Sequence, residues 1–418
     1  MIDIYRDDKH VTKAWTYELL TRNGVYSVFN TLGRDAHRAK RKVVGLALSK
    51  RAIDSFEPTL IGQVDVFTDI LQRSAEKGSP VNMTDRMSYL AVDIIGLLAL
   101  GYDLGLQTSE ENRVVPKAFS DNMFIGNIGH HLPPFSHLHR NQLFDYLVYT
   151  TREKFSRLLE KMVRHRLALD THALPDLFSF VAEAMPKNAV QTRDSAIWKE
   201  SLVFMTAGGD TVASGLTGIF FYLSRNPDCY ERLATEIRSK FPDAGSIKGG
   251  MVLQSCHYLR ACIEESLRMS PPISATLWRQ QVKGDTSPLV IDGHHIPKGT
   301  LFGVNVYALS HNPDIFPEPH NYNPDRWLTD DPSSPKMKES FASFGIGPRD
   351  CIGKQLAYLE LSLVVAKTLW QFDFERAPGP LGVVGNGVDR GRPDEFQIHD
   401  GFNSTHDGPY LVFRSRAS

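Results

Sequence analysis

Cysteine is scarce: Cys229, Cys256, Cys262 and Cys351 are the only four in 418 residues. No two form a Cys-x-x-Cys pair, so a cysteine zinc site is unsupported and a disulfide framework has little to build on. This usage fits a reducing compartment. Excess charge of one sign is also missing. The 47 basic and 48 acidic side chains give a formal balance of −1, which removes the general basic bias that points to nucleic acid. Long apolar runs are absent as well. The most apolar stretch, Ile94 to Leu100, carries Asp93 at its edge and is too short to span a bilayer. The first eight residues, Met1 to Asp8, are polar from the start, unlike a signal peptide. On these grounds the chain reads as cytoplasmic. No internal repeat is visible. Hydrophobic residues make up 42%, enough for a large core rather than a disordered chain. Length alone suggests two or three domains.

What is present centres on Phe344-Gly345-Ile346-Gly347-Pro348-Arg349-Asp350-Cys351-Ile352-Gly353. Glycines and a proline make a tight loop. Lys354 to Leu361 follows with apolar residues at helical spacing, so Cys351 stands where a loop enters a helix. Free backbone N–H groups and the positive end of the helix dipole there favour a thiolate. Such a thiolate is a nucleophile or a metal ligand; the plain alternative is an inert cysteine beside a turn. The segment resembles the cysteine-ligand loop of the cytochrome P-450 superfamily, Phe-Gly-x-Gly-x-Arg-x-Cys-x-Gly, at every specified position. The resemblance implies that Cys351 is the axial ligand of a haem iron, with Phe344, Gly345 and Arg349 part of the cofactor-binding loop.

Upstream, Gly33 to Lys42 leads into the apolar Val43–Ser49 segment. Asp35 is the expected N-cap, and His37 and Arg41 share one helix face. Alone this is a basic amphipathic helix; by resemblance His37 and Arg41 bind a haem propionate, as imidazole and guanidinium suit a carboxylate. Helical periodicity continues through Arg51–Ser74, Asp85–Leu100 and Asn141 to about Asp170. Asn127 to Phe135 reads as a surface loop. Its His130-His131 pair lacks a third metal ligand nearby.

From about Thr192 to Ser224 a helix of roughly 50 Å is expected, stopping at Asn226-Pro227. Gly208 and Gly209 at its centre, followed by Asp210-Thr211, predict a kink or an opened turn. Close packing of a neighbouring helix over the glycines is the other reading. The same residues resemble the family's oxygen-binding groove. That implies Thr211 as the hydroxyl that hydrogen-bonds dioxygen and Asp210 as the carboxylate that helps deliver protons, with Ala207 beside the substrate.

Cys256 to Arg268 forms a further helix with Glu265 and Arg268 three residues apart on one face. Surface pairs of this kind contribute little. By resemblance this one is buried and structural, joined by Arg326 of Pro324-Asp325-Arg326-Trp327, and it fixes the cysteine loop. Strand-like pieces are expected at Leu289–Ile291 and Thr300–Val306, with hairpin turns at Asp292–His295 and Pro297–Gly299. The resemblance implies Arg279 as a second propionate ligand, where the alternative is an edge strand with a solvated arginine. It also places Ile273 and Leu277 at the substrate. Thr329–Lys338 and Arg376–Pro393 read as loops and Pro409–Phe413 as a strand; Phe402 is a candidate to close the substrate pocket.

The expected fold is mainly α with a small β region, one domain over residues 1–418. Next to the family the chain starts just before the His37 helix. It is therefore expected to lack the N-terminal anchor, proline-rich hinge and first helix and strands, as a truncated gene product. The implied activity is a haem b (iron protoporphyrin IX) monooxygenase resembling fungal secondary-metabolism members. It would draw electrons from NADPH through a cytochrome P-450 reductase and insert one atom of O2 into a small lipophilic substrate. A monomer is expected, without nucleic acid. Family members sit on the cytosolic face of the endoplasmic reticulum membrane. Two alternatives stay open: a thiolate-haem isomerase or dehydratase, against which the Asp210-Thr211 pair argues, and a non-catalytic haem-binding remnant.

Overall fold

Helix limits follow local chemistry in the computed structural model, which describes residues 1–20, 24–132, 140–171, 173–182, 195–329 and 334–416. A short helix α1 (Ile2–Tyr5) and strand β1 (Val11–Lys13) precede α2 (Arg34–Ala47). Helix α3 (Lys50–Lys77) starts where the Ser49 side chain accepts the Ala52 N–H and stops at left-handed Gly78. After β2 (Val81–Asn82), α4 (Met83–Leu100) is capped by Asn82 and ended by left-handed Gly101. Then come α5 (Val114–His131), α6 (Arg140–Ala168) and α7 (Leu177–Ala182). Helix α8 (Ala196–Leu223) is capped by Ser195, and Pro227 opens α9 (Pro227–Lys240). The second half holds α10 (Met251–Gln254), α11 (His257–Met269), β3 (Arg279–Gln281), β4 (Leu289–Ile291), β5 (His294–Ile296), α12 (Val306–Ser310) and α13 (Ser334–Ser340). Helix α14 (Lys354–Gln371) leads into β6 (Phe372–Arg376), and β7 (Asn386–Gly387) to β11 (Tyr410–Ser415) close the chain. Between those last two lie β8 (Arg392–Phe396), β9 (His399–Gly401) and β10 (Asn403–Thr405).

The strands form small antiparallel groups. β11 lies between β2 and β6, placing Leu411 beside Val81 and Phe413 beside Phe374. β1 pairs with β3, bringing Lys13 opposite Arg279. One apolar cluster draws on α3, α4, α8, α11 and α14 and runs from Ala47 to Phe413. The architecture is therefore mainly α with a small β region, as the periodicity predicts. No helix among the described residues is long and apolar enough to cross a membrane.

Several local expectations are corrected. Gly33, not Asp35, is the α2 N-cap, and no side chain caps that end. Asn127 to His131 is not a surface loop but the end of α5, because the buried Asn127 and His130 are held there: Asn127 Nδ2 donates to Asp400, and His130 Nδ1 bonds the Thr16 hydroxyl at 2.8 Å. Residues 133–135 of that expected loop lie outside the described residues. Thr300–Val306 is not a strand. The Val304 N–H donates to the Tyr5 hydroxyl at 2.9 Å instead of to a ladder, leaving bridges only at Phe302 and Asn305. His294 and His295 belong to β5, so the hairpin turn is Asp292-Gly293. Part of the expected Thr329–Lys338 loop is α13, with Pro335 in its first turn; residues 330–333 lie outside the described residues, as do 192–194.

The most informative correction is in α8, which is helical without interruption through Ala207–Thr211. The glycines serve packing. A Cβ on Gly208 would lie 2.6 Å from Ile95 Cδ1, and one on Gly209 3.1 Å from Val92 Cγ2, so α4 approaches α8 over a surface that only glycine allows. At the start of the same apolar face, the buried Asp93 carboxylate accepts the Leu106 and Gln107 N–H groups at 2.8 and 2.9 Å. Burial pushes its pKa to about 6 against those two bonds. Gly208→Val is expected to lower stability by about 2 kcal/mol through overpacking. A double-mutant cycle with Ile95→Ala, followed by urea unfolding, should recover part of that loss; strictly additive losses would mean that the two sites do not touch.

Candidate active site

The cysteine loop is shaped by two glycines in the left-handed region, Gly345 (φ 67°) and Gly347 (φ 76°). A side chain on Gly347 would collide with the Tyr5 carbonyl, 2.2 Å from the Cβ position. The Cys351 N–H closes the loop on the Phe344 carbonyl at 2.7 Å, and Phe344 packs on Tyr358 of α14 with ring centroids 4.9 Å apart. Cys351 is exposed. Desolvation by the protein packed around it nevertheless raises the thiol pKa; the Gly353 N–H opposes it first among the lowering influences, and the Asp350 carboxylate adds to the rise. This desolvation works against the helix-end influence that favours a thiolate. A coordinating metal would remove the thiol proton outright.

Around the loop lies a group of cations with few acids. Lys13 is 7% exposed. Its ammonium donates to the Phe29 carbonyl and sits 3.9 Å from the Phe29 ring centroid. Burial, then the charges of Arg279 and Arg349, drive its pKa well down. Arg279, also buried, donates to the carbonyls of Trp278 (3.0 Å) and Leu277 (3.3 Å); it is not the solvated edge arginine. Arg349 donates to the carbonyls of Thr31 and Leu32, and burial with Arg279 lowers its pKa to about 10. His37 falls to about 3, through burial first and then Arg349, Lys13 and Arg41. Of the acids, Asp350 is taken by Arg41, and Asp8 pairs with Arg34 and Arg38. His37, Arg41 and Arg349 share with Asp8 the lining of an open recess of about 180 Å³. Mutually repelling buried cations are costly and call for an anionic partner.

The α8 side is different in character. Ala207 is exposed although Met205 and Gly209 beside it are buried, so solvent reaches the middle of a core helix. The Thr211 hydroxyl donates to the Ala207 carbonyl at 2.5 Å. Asp210 accepts Asn403 Nδ2 at 2.8 Å, and burial raises its pKa to about 6 despite that bond. Asn403 follows Phe402, a buried aromatic with positive φ (77°) in the β9–β10 turn. Phe402 stacks on His130 and joins a cluster with Tyr17, Ile273, Leu277 and Phe29. A left-handed phenylalanine is a backbone outlier, held here by its packing. The structure therefore brings Ile273, Leu277 and Phe402 together, and the Asp210–Asn403 hydrogen bond ties the Ala207–Thr211 turn of α8 to the residue after Phe402. Lys13, Tyr17, His130 and Asn403 had no sequence motif to mark them.

Beneath the loop, Glu265 accepts five N–H groups: Arg268 Nε and Nη2 at 2.8 Å, Arg326 Nε, Trp327 Nε1 and the Asn323 backbone at 3.0 Å. Glu265 and Arg268 are fully buried. Burial alone would raise the Glu265 pKa, but Arg268 and Arg326 outweigh it and hold it below the ordinary value. Ser343 Oγ, just ahead of the cysteine loop, donates to the Leu267 carbonyl at 2.8 Å.

An exposed sulfur on a glycine loop, a solvent-reached patch on α8 and a group of cations near the loop fit an iron porphyrin with two carboxylates. Comparison with known proteins agrees. The family model for Cytochrome P450 matches residues 6–380. The chain is 32% identical to the cytochrome P450 monooxygenase AKT7 of Alternaria alternata, over 98% of this chain and 81% of that protein. It is likewise 32% identical to the cytochrome P450 monooxygenase apf7 of Gibberella fujikuroi, over 99% and 82%. The fold matches the crystal structure of a cytochrome P450 (CYP102L1) with a TM-score of 0.77 and 19% identity, covering 98% of this chain and 86% of that one.

Replacing Glu265 with alanine orphans two buried guanidinium groups, and the expected cost is roughly 3–5 kcal/mol, read from the urea midpoint together with haem content after expression. Near-native stability would mean that the two arginines find other acceptors.

Proposed function

Taking as premise that the chain belongs to the cytochrome P450 family, we propose that it is a haem-dependent monooxygenase. It inserts one atom of O2 into a small lipophilic substrate, in the biosynthesis of a fungal secondary metabolite. The observation that carries this reading is the exposed Cys351 on its glycine loop, near buried Lys13 and Arg349, which form no ion pair among the described residues. Cys351 offers the sulfur ligand to the haem iron. Arg279, Arg349, His37, Arg41 and Lys13 hold the propionates, with Phe344 and Gly345 shaping the loop. Haem, when bound, supplies the reductive activation of dioxygen and the transfer of one oxygen atom.

The protein's own part is proton supply and exclusion of water. An Asp210 carboxyl with a pKa of about 6 exchanges its proton near neutrality, where proton delivery is efficient. Asn403 fixes its orientation. The Thr211 hydroxyl, parked on the Ala207 carbonyl, is the donor and acceptor next to the exposed patch. Tyr17, Phe29, Ile273, Leu277 and Phe402 form the apolar wall for the substrate. Glu265, Arg268 and Arg326 keep the loop in place. Residues 1–418 act as one domain, with electrons from NADPH through a cytochrome P450 reductase on the cytosolic face.

The test is oxygen-dependent turnover of the haem-loaded chain with a reductase, NADPH and labelled O2 over a panel of small lipophilic compounds. One labelled oxygen atom per product is expected. Thr211→Ala should retain haem but form several-fold less product per NADPH, with the difference appearing as peroxide. Turnover that ignores O2 would favour an isomerase or dehydratase. An unchanged ratio in the variant would reduce Thr211 to packing.

A further inference from the structure

His311 and His320 take no part in the proposed haem chemistry, yet they converge on one buried carboxylate far away in sequence. His311 follows α12, and its side chain is 4% exposed; Glu395, in β8, is 8% exposed. His311 Nδ1 lies 2.9 Å from the Tyr307 carbonyl. A carbonyl only accepts, so Nδ1 carries the proton and the neutral ring presents a bare Nε2. That Nε2 has no hydrogen-bond partner and points at Glu395 Oε1, 3.9 Å away. His320 Nδ1 stands 3.8 Å from Glu395 Oε2. Both separations are too long for a hydrogen bond. All three donor atoms lie within 4.8 Å of one another.

We propose that His311, His320 and Glu395 form a divalent-metal site that takes one zinc ion. Two imidazoles and a carboxylate are a zinc donor set, with a fourth position left for water. Ligand distances of ~2.1 Å give tetrahedral edges of roughly 3.4 Å, so small side-chain rotations bring the observed spacings into range. His320, 38% exposed at its side chain, provides the opening to solvent and to the fourth ligand.

The surroundings are built as a supporting layer. The Tyr307 carbonyl orients the His311 ring, and the Tyr307 hydroxyl donates to Glu395 Oε1, which is how neighbouring groups fix ligand tautomer and direction. Arg268 Nη1 donates to the carbonyls of Ser310 and Pro319, both at 2.8 Å. These are the residues directly before the two histidines, so the Glu265 network sets the spacing of the ligands. Two guanidinium groups face the site: Arg268, whose charge is balanced by Glu265, and Arg392 Nη1, 3.3 Å from Glu395 Oε2 on a side chain 43% exposed, which can swing outward when a cation enters. The ion would clip the segment after α12 to β8.

The test titrates zinc chloride into chelator-treated, haem-loaded protein by calorimetry. One saturable site per chain is expected. His320→Ala, which alters a half-exposed side chain and leaves the fold intact, should weaken it roughly tenfold or more, and Glu395→Gln should do the same. Cobalt in place of zinc should give visible bands without a sulfur charge-transfer band. No saturable site in the native chain, or unchanged binding in His320→Ala, would overturn the proposal and leave ordinary histidine–carboxylate pairs. A sulfur band would overturn it too, by moving the metal to cysteine.

Discussion

A single buried carboxylate organises the proximal half of this molecule. Glu265 accepts five N–H groups and balances its charge against Arg268 and Arg326. Geometry of that completeness is what a buried ion needs to offset its desolvation. The consequences spread outward. Arg268 holds the carbonyls of Ser310 and Pro319, while Arg326 holds that of Pro317, so one irregular stretch is fixed at three places. Leu267, in the same turn of α11, holds Ser343 ahead of the cysteine loop. The loop therefore inherits its position from a helix that never touches the sulfur. The proposed zinc ligands inherit theirs from the same guanidinium.

The second constraint is charge that the polypeptide does not neutralise. Burial and the neighbouring guanidinium charges lower the pKa values of Lys13, Arg349 and His37, and the nearby acids are already engaged. Proteins pair buried charges unless function requires otherwise. A bound dicarboxylate would restore normal protonation here, so folding of this region and cofactor binding are coupled. β1 matters for the same reason, since its register against β3 brings Lys13 opposite Arg279.

How much of this could be read from the chain depended on whether a residue acts locally. Helices α3, α4, α8 and α14 show in the helical spacing of their apolar residues. The Phe344–Gly353 loop shows because turn, arginine and cysteine are adjacent. Lys13 was illegible: it is one lysine in a short polar segment, and only pairing with a strand far along the sequence buries it. Asn403 and His130 were hidden likewise, because their partners Asp210 and Thr16 lie far from them in sequence. Gly208 and Gly209 were read with two meanings; the structure selects packing, since Ile95 and Val92 occupy the space a side chain would need. The surroundings of the Cys351 sulfur were not legible either, since the desolvation that raises its pKa comes from residues packed around the loop. His311, His320 and Glu395 have no spacing signature, as β8 joins the histidines only in three dimensions.

The central claim is that Cys351, and no other cysteine, supplies the sulfur ligand of a haem held by this cation group. The absorption spectrum of the ferrous–carbonyl complex tests it most directly, in the wild-type chain and in Cys351→Ala. The account predicts the long-wavelength band of thiolate-ligated haem in the wild type and its loss in the variant. Absence of that band in wild-type protein with full haem content, or its survival in Cys351→Ala, would contradict the account.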